Sequence, residues 1–236
     1  MISKIPKWVG DIAEGRILKP IELVQDEKLS ANLRLCQFRG DVGSMDFQPG
    51  NGNAIRVSKT DLRNYTVFNY DKENGEFMVL YYLNNLGVGS KLISSLSKGD
   101  VLFMDFPRGK TCYSKAIKNQ LFFGDETSLG LACSLHSRYR CNHHQYQFYL
   151  ELDEENKHIP EALGLDNFEV FSKGAVERNT AALILPQVER QHIKNTRCLL
   201  TGNGRSVQLV RSLLKANRFA GEIYSKGYWL EGKKGL

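Results

Sequence analysis

Gln120-Leu-Phe-Phe-Gly124-Asp125-Glu126-Thr127-Ser128-Leu129 divides the sequence into two kinds of pattern. A short apolar run ends in glycine, as a buried strand does before a turn. Acidic and hydroxyl side chains follow, and 129–139 reads as a helix. Asp125 and Glu126 stand where the positive end of the helix dipole favours negative charge. Strand, turn and helix in direct succession are the unit from which parallel α/β sheets are made.

The pattern continues downstream of this stretch. Tyr146-Gln-Phe-Tyr-Leu-Glu-Leu reads as a strand, Ile159-Pro-Glu-Ala-Leu-Gly as a short helix and Phe168-Glu-Val-Phe as a strand. Ala181-Ala-Leu-Ile-Leu-Pro fits either a helix or a strand. Arg197-Cys-Leu-Leu-Thr-Gly runs as a strand into a glycine turn. A helix is expected from Ser206 to Ala216, because Val207, Val210, Leu213 and Leu214 recur at helical spacing. Glu222-Ile-Tyr-Ser reads as the last strand. Alternating strands and helices predict a parallel sheet.

Upstream the punctuation is different. Leu33-Arg-Leu-Cys-Gln-Phe alternates apolar and polar residues, and Ala54-Ile-Arg-Val and Tyr65-Thr-Val-Phe-Asn-Tyr are rich in β-formers. Asp71-Lys-Glu-Asn-Gly is a hairpin turn, and Phe77-Met-Val-Leu-Tyr-Tyr-Leu is its returning strand. A short helix is expected from Lys91 to Ser97, opened by Gly89-Ser90, and Val101-Leu-Phe-Met-Asp-Phe follows as a strand. Six or so short strands with one small helix predict a closed antiparallel barrel. The fold class is therefore an N-terminal antiparallel, Greek-key-like barrel over residues 1–113, followed by a nucleotide-binding-like α/β domain over 114–236.

Composition narrows the function classes. The 236 residues suffice for one large domain or two small ones. No stretch approaches the ~20 apolar residues of a membrane span, and 1–10 show no continuous apolar segment of a secretory signal. Five cysteines, at 36, 112, 133, 141 and 198, form no framework spacing and favour a reducing, cytoplasmic setting. A net charge of +6 points to an anionic partner, but the basic residues are scattered and no run reads as a nucleic-acid arm. No Walker loop or nucleophile elbow occurs. Cys133, His136, Cys141, His143 and His144 cluster without a zinc spacing, so no metal site is expected.

Four segments carry chemistry. Arg63-Asn64-Tyr65-Thr66 puts a guanidinium and an aromatic ring two residues apart, on one face of a strand. A guanidinium suits a diphosphate through bidentate bonding, and an aromatic face suits a flat ring. The same residues also fit an ordinary strand with its tyrosine in the core. Gly87-Val88-Gly89-Ser90 precedes the short helix, where glycines permit close backbone approach; a loop with a serine cap reads equally well. The third segment is Gly124 to Leu129, which a capped helix without a ligand would also explain. The fourth is Lys226-Gly227-Tyr228-Trp229-Leu230-Glu231-Gly232, an aromatic pair near the C-terminus that could instead dock in an apolar groove. Besides these, Thr201-Gly202-Asn203-Gly204-Arg205-Ser206 joins a strand to a helix in a turn able to hold a phosphate, although only Gly202 and Gly204 fit the dinucleotide fingerprint.

In this order the four segments resemble the ferredoxin-reductase-like flavoproteins, and within them the siderophore-interacting proteins. The resemblance runs from about residue 47 to the C-terminus. It implies FAD bound in the barrel, with the flavin ring in the cleft between the domains. Arg63 is implied to contact the FAD pyrophosphate, Tyr65 to lie against the isoalloxazine and Thr66 to bond the flavin edge near N5. Backbone amides at Gly87, Val88, Gly89 and Ser90 are implied to receive the pyrophosphate. Asp125-Glu126-Thr127 resembles the Gly-Asp-Glu-Thr turn of the family, with Thr127 facing a nicotinamide amide. Gly130 stands where the family has proline, and Leu86-Gly87 where it often has His-Gly. Gly202 and Gly204 are implied to approach a nucleotide phosphate, and Tyr228 and Trp229 to cover part of the flavin. The implied activity is a flavin-dependent reductase that passes electrons from NADH, NADPH or ferredoxin to a ferric siderophore or other anionic acceptor and releases Fe(II). Lys173, Arg178, Arg190, Lys194, Arg197, Arg205 and Arg211 could grip such a chelate. The alternatives are a general NAD(P)H:flavin oxidoreductase, a non-enzymatic flavin- or ligand-binding module and, on charge alone, a nucleic-acid-binding barrel.

Overall fold

The computed structural model describes residues 18–84, 87–174 and 195–232. The chain divides into two compact units, Met1–Tyr113 and Ser114–Leu236.

The first unit is a seven-stranded antiparallel sheet with one helix. Its strands are β1 (Lys19–Lys28), β2 (Leu33–Gly40), β3 (Asn53–Arg56), β4 (Leu62–Tyr65), β5 (Val67–Asp71), β6 (Glu76–Tyr82) and β7 (Val101–Met104), with helix α1 (Val88–Ser95) before β7. They pair in the order β4-β3-β7-β1-β2-β6-β5. One core unites the two ends of this order: Ile55 of β3, Val67 of β5, Phe38 and Phe77 of the centre and Ile93 of α1 are packed in a single cluster. The sheet is therefore curled. Each fully buried Phe or Ile in it contributes ~1.5–3 kcal/mol relative to exposure.

Three expectations change here. The hydrogen-bonded ladder does not close, because β4 and β5 stand at its opposite edges. The run Tyr65 to Tyr70 is not one strand. It breaks at Thr66, where the partner changes from β3 to β6. Two strands joined by a single residue run on in line and cannot fold back to pair, so the barrel closes through the covalent chain at Thr66 rather than through a ladder. Helix α1 begins at Val88 and ends at Ser95, not at Lys91 and Ser97; Gly87 is its cap, in extended conformation. A further strand, β1, lies between β7 and β2. Its core contribution is confined to Ile21 and Leu23, both fully buried, while 25–28 are exposed and polar. So short an alternation escapes a pattern search.

The second unit is a parallel five-stranded sheet. Its elements are β8 (Asn119–Asp125), a 3-10 turn (Glu126–Ser128), α2 (Leu129–Cys141), β9 (Gln145–Leu152), α3 (Ile159–Ala162), β10 (Phe168–Ser172), β11 (Thr196–Asn203), α4 (Gly204–Ala216) and β12 (Glu222–Trp229). The order β10-β9-β8-β11-β12 winds outward in one direction from β8 and then reverses to β11. That reversal is a topological switch point, where open α/β sheets present their ligand crevice at the carboxyl ends of the strands. β8 is buried along nearly its whole length, as a central parallel strand must be. One face packs Leu121, Phe123, Cys198 and Leu200 under Val207, Val210 and Leu214 of α4. On the other, Phe122 meets Phe148 at 5.5 Å between centroids.

Helix α4 starts at Gly204, two residues before the expected Ser206, because the Asn203 side chain caps it by accepting from Arg205 N at 2.9 Å. The last strand runs on past Glu222-Ile-Tyr-Ser: Lys226-Gly-Tyr-Trp belongs to β12 as well, with Gly227 opposite Gly202 and Trp229 opposite Asn203. The ambiguous run 181–186 lies outside the described residues. No helix among the described residues is long and apolar enough to cross a membrane.

Candidate functional site

In the first unit, Arg63 and Tyr65 stand two apart on one face of β4, and Tyr65 packs against the core of the curled sheet while Arg63 stays one-third exposed. Across that face lies the first turn of α1. A Cβ placed on Gly89 would stand 2.6 Å from the Tyr65 hydroxyl, 3.5 Å from Arg63 Cγ and 3.7 Å from Val57 Cγ1. Only glycine admits this approach, and it brings two of the predicted segments together. Tyr65 packs edge-on against Tyr81 at 4.6 Å. Burial pushes its hydroxyl pKa up to about 12, against the opposing charge of Arg63. Arg63 Nη1 donates to its neighbour Leu62 O at 2.8 Å, Nη2 stands 3.7 Å from Asp61, and the side chain is one-third exposed. Thr66 is the half-buried corner between β4 and β5.

Ser90 is the third residue of α1 rather than its cap. Its hydroxyl donates to Asn84 Oδ1 at 3.0 Å and accepts from Asn84 N at 3.3 Å, and the same Oδ1 receives Gly87 N at 3.2 Å. Asn84, which sequence reasoning passed over, thus stitches β6 to the helix start. The donor set fits FAD: a guanidinium, a short helix N-terminus opened by glycine, and an aromatic side chain lie on one surface patch.

In the second unit, Asp125 is the hub of the strand ends. It is 2% exposed. Oδ1 accepts from Thr127 N at 2.9 Å and Thr127 Oγ1 at 2.5 Å, and Oδ2 accepts from Asn203 N at 2.8 Å and Trp229 Nε1 at 2.7 Å. Burial pushes its pKa up, opposed by the hydrogen bonds from Thr127, Trp229 and Asn203. Gly202 has φ +101°, and a Cβ there would lie 2.6 Å from the Asp125 carboxyl carbon. Glycine is required twice over, by conformation and by space. A Cβ on Gly204 would lie 3.3 Å from Trp229 O. The structure thus gathers Asp125, Thr127, Gly202, Gly204 and Trp229.

Glu126 points the other way. It is buried and accepts from Asp153 N at 2.8 Å and Asn156 Nδ2 at 3.0 Å, with Lys173 Nζ 3.0 Å away. Burial raises its pKa against those partners. Lys173 also meets Asp153 at 2.6 Å, so this cation braces the turn. Of the other basic residues, Arg197 pairs with Glu222 at 2.6 Å and Arg205 with Glu231 at 3.7 Å, whereas Arg178, Arg190 and Lys194 lie outside the described residues. Tyr228 carries the Lys226 ammonium 5.7 Å above its ring. His136 bonds Asp166 at 3.0 Å, and among the described residues no group of His, Cys, Asp and Glu is arranged to hold a metal.

A cavity of about 130 Å³ opens at the carboxyl ends of this sheet, lined by Asp125, Glu151, Lys173, Asn203, Arg205 and Trp229. Glu151 was not anticipated. Its signal was there: a carboxylate inside the apolar run of β9, four per cent exposed.

Residues 20–113 match the family described as the oxidoreductase FAD-binding domain. The first unit thus matches an FAD-binding oxidoreductase domain, and a doubly wound α/β unit follows it. Among solved structures, the siderophore-interacting protein SipS from Aeromonas hydrophila superposes with a TM-score of 0.73 at 15% identity, covering 92% of this chain and 93% of that one. A ferredoxin NADP+ reductase from Neisseria gonorrhoeae with bound FAD and NADP gives 0.74 at 13% identity, over 90% and 99%. Full-length CYP116B46 from Tepidiphilus thermophilus gives 0.72 at 15% identity over 90% of this chain, which spans only 29% of that protein's length. No curated protein matches the sequence.

Proposed function

We propose that the protein is an FAD-dependent reductase whose electrons go to a ferric siderophore or a similar anionic ferric chelate. One observation carries the reading: Gly89 lets the start of α1 close onto Arg63 and Tyr65, in the unit whose sequence matches an FAD-binding domain. Bound FAD would supply the redox chemistry, taking electrons from NADH, NADPH or ferredoxin and delivering them singly to iron(III). The chain supplies position. Arg63 holds the pyrophosphate with the amides of Val88, Gly89 and Ser90; the Gly87 amide, also expected there, is already given to Asn84 Oδ1. Tyr65 backs the ring and Thr66 meets its edge. Asp125 fixes Thr127, whose hydroxyl proton is already committed, so that its oxygen accepts from an N–H of the incoming donor. Glu126 braces that turn, and Gly202 and Gly204 let backbone approach a nucleotide. Tyr228 and Trp229 supply aromatic surface. The likeness to SipS over nearly the whole of both chains supports the siderophore as acceptor, as does the net charge of +6.

The test is a visible spectrum of the purified protein after incubation with FAD. Anaerobic addition of NADH, NADPH or reduced ferredoxin follows, then a ferric siderophore with an Fe(II)-trapping dye. The expected result is flavin bands, bleached by one donor and restored by the chelate as Fe(II) appears. Absence of flavin after incubation would overturn the reading. Bleached flavin that ferric chelates leave reduced would retain the reductase and reject the acceptor.

A further inference from the structure

We infer that Asn53 is a flavin-positioning residue, its side-chain amide donating to a carbonyl oxygen of the flavin ring. The inference rests on the reductase reading above and adds a polar contact to the flavin half of the cofactor.

Asn53 opens β3 and is 1% exposed. Its Nδ2 is buried and finds no acceptor among the described residues. A buried amide without a partner loses its hydrogen bonds to water and gains none in return, so a native chain that keeps one calls for a reason.

Position supplies the reason. In the antiparallel pair of β3 and β4, Asn53 stands opposite Tyr65 and Ile55 opposite Arg63. Residues opposite one another in such a pair project to the same face, with Cβ atoms about 4.5–5.5 Å apart. The tyrosine that backs the ring therefore has a polar neighbour, and the arginine that holds the pyrophosphate has an apolar one. On the other side of β3, Asp105 N donates to Ala54 O at 2.8 Å, and Gly52 N and Arg108 N each donate to the other's carbonyl, at 2.8 and 3.0 Å. Asn53 thus lies between Tyr65 on one strand and Phe106-Pro107 on the other, where Phe106 is 40% exposed. The amide is near the rim of the curled sheet. The flavin ring carries two carbonyl oxygens, both acceptors. Side chains at a binding surface commonly change rotamer while the backbone stays in place. Turning the carboxamide toward the ring exchanges an unpaired donor for a bonded one.

Tyr81 supplies the contrast. Its hydroxyl is also buried and without a partner among the described residues, and its ring packs edge-on against Tyr65. That ring is fixed in the core cluster, and its hydroxyl lies on the ring axis, so a ring flip leaves the hydroxyl where it is.

The experiment titrates the full chain with FAD and with riboflavin, read by flavin fluorescence, and melts it without flavin. Asn53→Leu keeps the outline of the side chain and removes its polar atoms. It should weaken FAD and riboflavin alike by about tenfold, because the contact is to the ring. Without flavin it should melt no lower than wild type, since the group removed has no partner to lose. Asn53→Ala, which adds no volume, is the second variant and should show the same loss of flavin. Tyr81→Phe should melt no lower than wild type either, and should hold flavin as wild type does. Flavin affinity unchanged in the Asn53 variants, a lower melting point of flavin-free Asn53→Leu, an equal loss of flavin in Tyr81→Phe, or a loss confined to FAD would overturn this inference and leave the reductase reading in place. Wild-type protein that takes up no flavin would overturn that reading and this inference with it.

Discussion

The cradle formed by β4 and α1 and the turn at Asp125 are built in opposite ways. In the cradle, Arg63 is one-third exposed and makes a short bond to the adjoining carbonyl, and Gly89 leaves α1 close against Tyr65. Its guanidinium is part-exposed, while the Tyr65 hydroxyl is turned in against the start of α1. In the turn, Asp125 is buried and receives four donors, two from Thr127 of its own turn and one each from the ends of β11 and β12. Its acceptors are turned inward. Residues from both segments look alike in a sequence motif, yet the first set leaves a guanidinium part-exposed and the second commits its carboxylate wholly to bonds within the protein.

Substitution tests this contrast most strongly at Asp125. Asp125→Ala leaves the amides of Thr127 and Asn203 and the Trp229 indole without their acceptor. Stranded buried donors each cost ~1–3 kcal/mol, so the loss of stability should be about 3–5 kcal/mol in urea unfolding followed by tryptophan fluorescence. FAD affinity of the folded variant should stay close to that of the wild type; a loss of flavin equal to that of an Arg63 variant would erase the distinction. Arg63→Ala should do the reverse. It should weaken FAD by about 1.5–3 kcal/mol, roughly 10- to 150-fold in a flavin titration, with a change in unfolding free energy within about 0.5 kcal/mol. Unchanged FAD affinity would mean that the pyrophosphate sits elsewhere.

The smallest effect is expected at Asp166, outside both segments. Asp166 is exposed; partial desolvation pushes its carboxyl up, but hydrogen bonds from Tyr146 and His136, with the charges of His136 and Arg140, outweigh this and hold it below the ordinary value of 3.8. A carboxyl lowered in the folded state stabilises above its unfolded pKa, and that contribution disappears as pH falls through the folded value. Wild-type protein should therefore lose stability more steeply below pH 3.8 than Asp166→Asn, while Asp125→Ala keeps the wild-type slope over that window from this group. Parallel acid-denaturation curves for wild type and Asp166→Asn would show that the Tyr146–Asp166–His136 contact carries no such stability.

Much of this architecture is legible in the chain. The change from turn-punctuated strands to strand–helix alternation follows from period-2 and period-3.6 patterns, and β8, α2 and β9 lie within a few residues of expectation. Elements whose identity depends on partners far away are less legible. β1 offers only Ile21 and Leu23 to the core, so its strand character comes from pairing with β2 and β7. Nothing local in Tyr65-Thr66-Val67 announces a change of partner. Among the candidate site residues, Arg63, Tyr65 and Thr127 could be singled out from the sequence because the chemistry proposed for them is carried by the side chain itself. Asn84, Glu151 and the inward role of Glu126 could not, because ordinary polar residues acquire a function only from what the fold sets beside them.

The corner at Thr66 has a consequence for synthesis. Among the described residues β4 is paired only with β3, and β3 beyond it only with β7, through Ile55 and Met104. A lone two-stranded hairpin is marginal in water. Residues 63–65 therefore leave the ribosome some forty positions ahead of the strand that secures them, with α1 also emerging in between. The strand that bears the arginine and tyrosine waits, loosely held, until the first unit is nearly complete. Retention of flavin by a truncated chain then serves as a gauge of how far the nascent barrel has rolled up.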